Sequence, residues 1–475
     1  MIADLKPYGA YRLAEGGWLG EIPSHWTVRR MKYVAQEMDS RSTSGKEQLL
    51  RVSQFTGVTQ RLRAAGQDEQ DTRAASLVGY KRVEPDDLVI NIMLAWNGSM
   101  GVSHYPGIAS PAYCVYRFRP DALPWYFHHL LRSPAYKARI KAMSTGVVES
   151  RLRLYSDDLF RIEALLPPPE EQAAIVRFLD WANGRLERTI RAKRRVIALL
   201  TEQKQAIIHR AVTRGLDPTV ALKPSGIPWL RDIPQHWEVR RAKQLCIAII
   251  DCKNRTPDLI TGGAFTVVRT TNIRHGRFNL AGSYSTNQKN YEIWTQRGAP
   301  RVGDVFFTRE APAGEACMVP DLKNLCMGQR MMYYRPDPAV LDGEFLLHSI
   351  YGPVVRTYIE VEVNGSTVGH LRLGQVSALP LLWCPVAEQK KIVAHIALES
   401  EPLNLTIARL EREIDFLREY RTRLIADVVT GKLDVREAAA RLPQQADEPA
   451  STPDALADEE EDGDAGSDEL SELQA

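Results

Sequence analysis

The sequence predicts an α/β (α+β) fold built twice, with two mixed α/β domains separated by an antiparallel pair of long coiled-coil helices and a pseudo-twofold internal repeat. Three observations point there. First, the opening motif Trp18-Leu19-Gly20-Glu21-Ile22-Pro23-Ser24-His25-Trp26-Thr27-Val28-Arg29-Arg30 returns at Trp229–Arg241, an offset of 211. Second, Glu171-Gln172 begins a stretch that returns at Glu388-Gln389, at a constant offset of 217 through Leu216-Asp217 and Leu433-Asp434. Third, each such stretch carries a heptad pattern. A period of this size is far too long for a solenoid and reads as duplication of a whole domain with its helix. The stretches between, about 40–165 and 250–382, look unlike each other, which indicates divergence of the two bodies.

The heptads come from Leu179, Leu186, Leu200 and Ile207 at one seam position and Val176, Ile190 and Ile197 at the other. Ile396, Leu403, Leu410, Leu417 and Leu424 answer in the second copy, with Val393, Ile407, Ile414 and Val428. Alternating three- and four-residue spacing marks a coiled-coil seam. Polar seam residues fall at matching places, Asn183 with Ser400 and Lys204 with Arg421; such residues cost stability and fix register. Gly184 and Pro402 predict a break or kink into a short and a long helix in each copy. The long parts, about 185–213 and 402–430, should each run about 43 Å at about 1.5 Å per residue. Connectivity makes the second helix run back along the first and sets the two domains at opposite ends. Dimerisation of separate chains through these helices is the bland alternative; two equal copies in one chain favour pairing within it.

In the bodies, Leu88–Met93 and Val305–Thr308 read as strands. Each follows an acidic turn, Pro85-Asp86-Asp87 or Gly303-Asp304, and leads into a Gly-containing loop, 95–101 or 309–314. Such loops can carry Arg, Asn or Glu to base edges, where Arg suits guanine and Asn suits adenine. Gly turns alone are usually structural. Trp26 and Trp237 read as core, and His25 and His236 as capping or hydrogen-bonded residues.

Composition narrows the function classes. Of 475 residues, 44% are apolar and 25% charged, ordinary for a soluble globular chain. No apolar run approaches the roughly 18 residues that span a bilayer. The six scattered cysteines form no Cys-x-x-Cys pair, against a zinc ribbon or a disulfide scaffold and in favour of a cytoplasmic location. Residues 443–475 hold twelve Asp/Glu and no Lys/Arg; taking those twelve from 59 acidic residues leaves 47 against 61 basic ones, a charge of +14 for residues 1–442. A basic folded part favours a polyanionic partner, and the acidic tail reads as a disordered solubility tail, or more sharply as a phosphate mimic. Arg185–Arg214 carries nine Lys/Arg against two Asp/Glu, a solvated stripe or a phosphate-facing one. No Walker-type phosphate loop, His-Glu-x-x-His zinc site, Gly-x-Ser-x-Gly elbow, [Asn/Asp]-Pro-Pro-[Tyr/Phe] methyltransferase motif or nuclease set is present, so catalysis is not expected.

The Trp-Leu-x-x-Ile-Pro-x-His-Trp start, the Pro167-Pro168-Pro169-Glu170-Glu171-Gln172 helix entry, the 303–314 loop and the Gly365–Leu371 stretch resemble a Type I restriction-modification specificity subunit over about residues 5–435. The resemblance implies that each body is a target recognition domain reading one half of a bipartite asymmetric double-stranded DNA target. It implies that the helices are a spacer docking two adenine-N6 methyltransferase subunits, and through them restriction/translocase subunits. S-adenosylmethionine, ATP and Mg would then sit on those partners, with no cofactor or metal on this chain and no membrane association. The expected divisions are target recognition domain 1 (1–169), spacer helix 1 (170–215), target recognition domain 2 (216–386), spacer helix 2 (387–435) and the acidic tail (436–475). Candidate DNA contacts are Asn97, Ser99, Ser150, Arg151 and Arg153 in the first body. In the second they are Asn272, Arg274, Arg309, Glu310, Asn364, Ser366 and His370. The competing reading is a structural coiled-coil scaffold without sequence-specific DNA contact; a self-sufficient modifying or cleaving enzyme is disfavoured by the missing motifs.

Overall fold

In the computed structural model the described residues are 5–14, 17–61, 76–148, 151–364 and 369–443. The chain divides into two compact units, residues 1–193 with 412–475, and residues 194–411.

In the first unit a short antiparallel pair, Tyr11–Leu13 with Glu21–Pro23, precedes strand β1 (Thr27–Arg30), which is followed by β2 (Ala35–Met38), a hairpin of β3 (Leu50–Ser53) and β4 (Gly57–Gln60), and then by β5 (Leu88–Asn91), β6 (Met100–Val102) and β7 (Tyr113–Phe118). These build an antiparallel sheet in the order β2-β7-β5-β6. All four residues of β5 are buried, as the unbroken apolar run of a central strand requires. Helices α1 (Pro124–Leu131), α2 (Pro134–Met143) and α3 (Ser156–Arg161) follow, and β8 (Glu163–Leu166) pairs antiparallel with β1. The long helix α4 (Pro169–Arg214) then leaves the body. Its first turns, through Ile175, Phe178 and Leu179, join Trp26, Tyr126 and Leu165 in one core.

The second unit repeats this plan. It contains β9 (Glu238–Arg241), β10 (Cys246–Asp251), β11 (Val305–Thr308), β12 (Ala316–Met318) and β13 (Met331–Pro336), with the sheet order β10-β13-β11-β12. Helices α5 (Gly343–Ile350), α6 (Pro353–Asn364) and α7 (Leu373–Ser377) precede β14 (Pro380–Trp383), which pairs antiparallel with β9. Helix α8 (Val386–Val429) leaves this body, and α9 (Arg436–Ala440) ends the described chain. The bodies that look unlike in sequence therefore share the order of the four-stranded sheet, the three helices that follow it and the handover to a long helix. What diverged is side chains, loops and peripheral elements, since only the second body has the helix Gln288–Trp294 and a three-stranded sheet of Phe265–Val268, Tyr284–Thr286 and Leu325–Met327, while the shared frame kept its hydrogen-bonding plan.

The two long helices run antiparallel in each unit. Arg421 reaches Glu187 at 3.2 Å and Lys193 reaches Glu413 at 2.6 Å in the first unit. In the second, Lys204 Nζ donates to Asn404 Oδ1 at 2.8 Å. Lys204 and Arg421 are repeat equivalents, and so are Asn404 and Glu187; the same contact is made once in each unit. The seam residues Leu179, Ile190, Ile396, Ile414, Leu424 and Val428 are buried. Each body's core is closed by the start of its own departing helix and the end of the other: Val428 and Val429 in the first, Ala211 and Val212 in the second.

Two expectations are corrected. Neither long helix breaks at Gly184 or Pro402; both are continuous. The carbonyl of Leu398 loses its amide donor to Pro402, but Leu398 is 67% exposed and water can take that bond. The acidic tail does not begin at residue 436: Arg436–Ala440 is helical, with Ala438 and Ala439 buried in the first unit's core. Residues 444–475 lie outside the described residues.

Candidate nucleic-acid interface

The repeated sequence motifs build the frame that carries the loops. Glu171, in the first turn of α4, accepts from Trp26 Nε1 at 3.0 Å and Tyr8 Oη at 2.5 Å, and its other oxygen meets His25 Nε2 at 2.8 Å. Glu388 repeats this with Trp237 Nε1 at 3.0 Å and His236 Nε2 at 2.8 Å. A carboxylate in a first helical turn also suits the helix dipole. The next residue matches too. Gln172 accepts from Leu123 N and donates to the carbonyls of Asp121 and Pro167; Gln389 accepts from Asp342 N and donates to those of Val340 and Cys384. These buried amides fasten the helix entry to the body, and the motif shared by both copies is thus structural.

The acidic turns have the same explanation. Asp87 takes a bidentate pair from Arg117, at 2.8 and 2.9 Å, and Asp304 one from Arg335, at 2.9 and 2.7 Å. Both aspartates are buried, at 1% and 2% exposure, so neither carboxylate faces a ligand. They set the start of β5 and β11, and hence where the following loops emerge.

In the second body the loop after β11 is closed by Thr308. Its hydroxyl donates to Pro312 O at 2.6 Å and accepts from Glu315 N at 3.0 Å. Arg309 turns inward: Nη1 meets Asp251 Oδ2 at 2.8 Å, while Arg309 Nε and Asp251 Oδ1 are buried without a partner. Arg309, a candidate DNA contact, is thus held against Asp251 beside the loop rather than extended from it. Glu310 pairs with Arg330 at 2.9 Å. The N–H of Leu371 donates to Arg309 O at 2.9 Å, which brings the neighbouring His370, half-buried and partnered, to the same edge. Asn272 is corrected outright. It is fully buried, its Oδ1 accepts from Arg269 N at 2.7 Å, and its Nδ2 donates to the carbonyls of Asn279 and Ala281. Its amide holds a turn, and full burial keeps the remaining oxygen lone pair away from a base. Arg274 is exposed on the small hairpin of Ile273-Arg274 and Arg277-Phe278, its guanidinium resting on the carbonyls of Thr270 and Ile273.

In the first body Leu154 N donates to Ile92 O at 3.0 Å, the exact repeat equivalent of the Leu371–Arg309 bond, so Arg153 and His370 occupy one frame position. Asn97 Oδ1 accepts from Ser99 N at 3.1 Å and Ser99 Oγ at 2.9 Å. Ser99 is buried and committed to this turn, which corrects its assignment as a DNA contact. Asn97 keeps only its amide nitrogen free, so it cannot make the bidentate pairing with adenine that an intact carboxamide makes. Arg151 is exposed and Arg153 half-buried, with Nη1 on Leu152 O. Ser150, Ser366 and the side chain of Asn364 lie outside the described residues.

Sequence reasoning missed Arg132, the residue after α1. Its guanidinium donates to the carbonyls of Gln54 at 3.0 Å, Phe55 at 2.7 Å and Met100, with Ser53 and Gly98 at the longer 3.4 and 3.3 Å. Desolvation there lowers its pKa to about 10. No repeated residue flagged it, because the second body places Tyr351 at the same point.

No protein-family model matches the chain. In sequence it is 22% identical to the Type I restriction enzyme EcoBI specificity subunit of Escherichia coli over 291 residues, 58% of this chain and 59% of that protein. The chain is similar to a Type I specificity subunit. The match spans 59% of the length of that curated relative. In fold, a chain solved in work on complex assembly and conformational transition of the type I R-M system aligns at a TM-score of 0.58 and 17% identity, covering 87% of this chain and 99% of its own. The HsdS subunit from Thermoanaerobacter tengcongensis aligns at a TM-score of 0.40 and 18% identity, over 87% of this chain and 98% of its own. Among the described residues no helix is long and apolar enough to cross a membrane.

Proposed function

We propose that this chain is the non-catalytic DNA-specificity subunit of a Type I restriction-modification complex. Each body reads one half of a bipartite, asymmetric duplex target, and the helix pair docks two adenine-N6 methyltransferase subunits and, through them, restriction subunits. The working divisions are the two target recognition domains and two spacer helices set out above, with the last one extended through α9. S-adenosylmethionine, ATP and Mg belong to the partner subunits in this reading.

One observation carries it: a single hydrogen-bonded frame occurs twice, and the edges it presents differ. At the edge Arg153 stands where His370 stands, and the exposed residues of the short hairpins differ, Phe55 in one body and Arg274 with His275 in the other. A frame kept constant under changing edge residues suits two readers of different base sequences. The basic charge of residues 1–442 suits a phosphate-bearing partner. The test is selection from random duplexes by the chain assembled with its methyltransferase partner. Two unlike half-sites at a fixed gap are the expected product; one continuous motif, or none, overturns the proposal.

A further inference from the structure

Each body carries a hairpin whose tip is tied to the edge strand of the main sheet by the residue that follows the first helix after that sheet. In the first body the hairpin is β3–β4, with tip Gln54-Phe55-Thr56. Arg132 grips the carbonyls of Gln54 and Phe55 and, with the same guanidinium, that of Met100 at the start of β6. In the second body the hairpin is Ile273–Phe278, with tip His275-Gly276. Tyr351 Oη accepts from Gly276 N at 2.8 Å and from Ala316 N, at the start of β12, at 3.1 Å.

The glycines agree. Gly57 has φ +76, and a Cβ there would meet His128 at 3.2 Å and Arg132 at 3.5 Å; Gly276 has φ +80, and a Cβ would meet Tyr351 at 3.7 Å. A Cβ on Gly101 would come within 3.0 Å of Gly57 Cα, so β4 and β6 touch backbone to backbone. Gly276 likewise bridges Cys317 in β12. One device, built from different side chains, holds each hairpin beside the loop that precedes the edge strand.

The first tip presents groups that the frame leaves unused. Phe55 is 48% exposed, an apolar ring that the core does not take. The Gln54 carboxamide makes no hydrogen bond among the described residues, although its backbone carbonyl is held. At the other hairpin His275 is exposed at the tip and Arg274 is exposed beside it, its Nη1 on the carbonyls of Thr270 and Ile273. A carboxamide with both groups free is the side chain that pairs bidentately with adenine, and an aromatic ring is an apolar partner for the thymine methyl.

We infer that the hairpin tips are specificity edges of the two bodies. Gln54 and Phe55 contact an A·T pair or step in one half-site, and Arg274 and His275 contact bases in the other. Arg132 and Tyr351 are positioning residues that act through the tips. This inference rests on the proposed DNA-reading function and deepens it.

The experiment uses the full chain assembled with its methyltransferase partner and random duplexes as the probe. Gln54→Ala and Phe55→Ala should each lower base discrimination by about tenfold at one or two adjacent positions of one half-site, leaving the other half-site unchanged. Tyr351→Phe keeps the ring and removes only the hydroxyl; it should relax positions in the opposite half-site, the same ones affected by Arg274→Ala. Arg132→Lys keeps the charge and loses the fork, and should mimic Gln54→Ala. Because Phe55 is exposed, its variant keeps the test decisive even where Arg132→Lys fails to fold. Unchanged preference in both tip variants overturns this inference while leaving the proposed function standing, and so does uniform weakening across all sequences, which marks phosphate contact. A wild-type complex that selects no split target overturns both.

Discussion

Glu171 and Glu388 occupy equivalent places, but their surroundings differ in a way that predicts different costs. The Glu171 side chain is 4% exposed and also holds the buried Tyr8 hydroxyl; the Glu388 side chain is 29% exposed and holds only a tryptophan and a histidine. Removing Glu171 strands the indole N–H of Trp26 and the Tyr8 phenol in the core. An unsatisfied buried group costs about 1–3 kcal/mol, so Glu171→Ala should destabilise the first unit by about 3 kcal/mol and Glu388→Ala the second by about half that. Denaturant unfolding followed separately for each unit checks the ranking, and equal losses would contradict it. Three histidines, two of them beside the Arg132 clamp, give a pH dependence. Burial, with Arg132 adding to it, pushes His129 from 6.5 down to about 4, and His128 well below its ordinary value; burial, with Lys204 adding to it, pushes His348 to about 4. His128 Nδ1 also accepts from Val102 N, which needs the neutral ring. The unfolded chain therefore binds more protons than the folded one between about pH 6.5 and 4, and stability falls as pH drops through that window. Melting temperature should decline across it, and His129→Gln should show a shallower decline; an unaltered slope would remove His129 from the account.

The long helices are the elements most legible from sequence, because a heptad is a local pattern that tertiary context cannot easily disguise. Their continuity through Gly184 and Pro402 was not legible. Propensity says what a residue costs, and only the packing on either side says whether the helix absorbs that cost. Those costs should still be recoverable. A Cβ on Gly184 would meet nothing nearer than Arg188 at 3.7 Å, so Gly184→Ala should stabilise by about 1 kcal/mol and Pro402→Ala by up to about 3 kcal/mol. Thermal unfolding reads both, and destabilisation by Pro402→Ala would mean that the proline serves the fold. The shared frame of the bodies was the element most hidden. Asp87 and Asp304 were visible as acidic turns, but their bidentate arginines lie some thirty residues further on, across a strand pairing no local pattern reveals. Asn272 illustrates the opposite error: an Asn beside arginines looks like a base reader until the turn that consumes its amide is seen. Arg132 had no signal at all, since the repeat preserves its position and task while changing its residue type.

At the scale of the whole molecule, charge separates the bodies from the tail. Residues 1–442 carry +14 and residues 443–475 carry twelve carboxylates with no cation. If the bodies grip duplex DNA through phosphates, the logarithm of affinity should fall linearly with the logarithm of salt, losing about 10³-fold or more between 50 and 200 mM for a grip on six or more phosphates. Half-site preference should persist along that line, because base-edge hydrogen bonds release no counterions. The tail then admits a clean test. Twelve carboxylates that competed for the phosphate-binding surface would weaken binding most at low salt, so truncation after Pro443 would raise affinity there and steepen the slope. A tail that serves solubility leaves affinity and slope unchanged while the truncated chain precipitates at lower concentration. The second outcome is the one expected, since α9 and its buried alanines end the first unit's core before the acidic run begins. A salt-titrated affinity measurement on full-length and truncated complexes decides between them, and a steeper slope on truncation would make the tail a competitor of DNA.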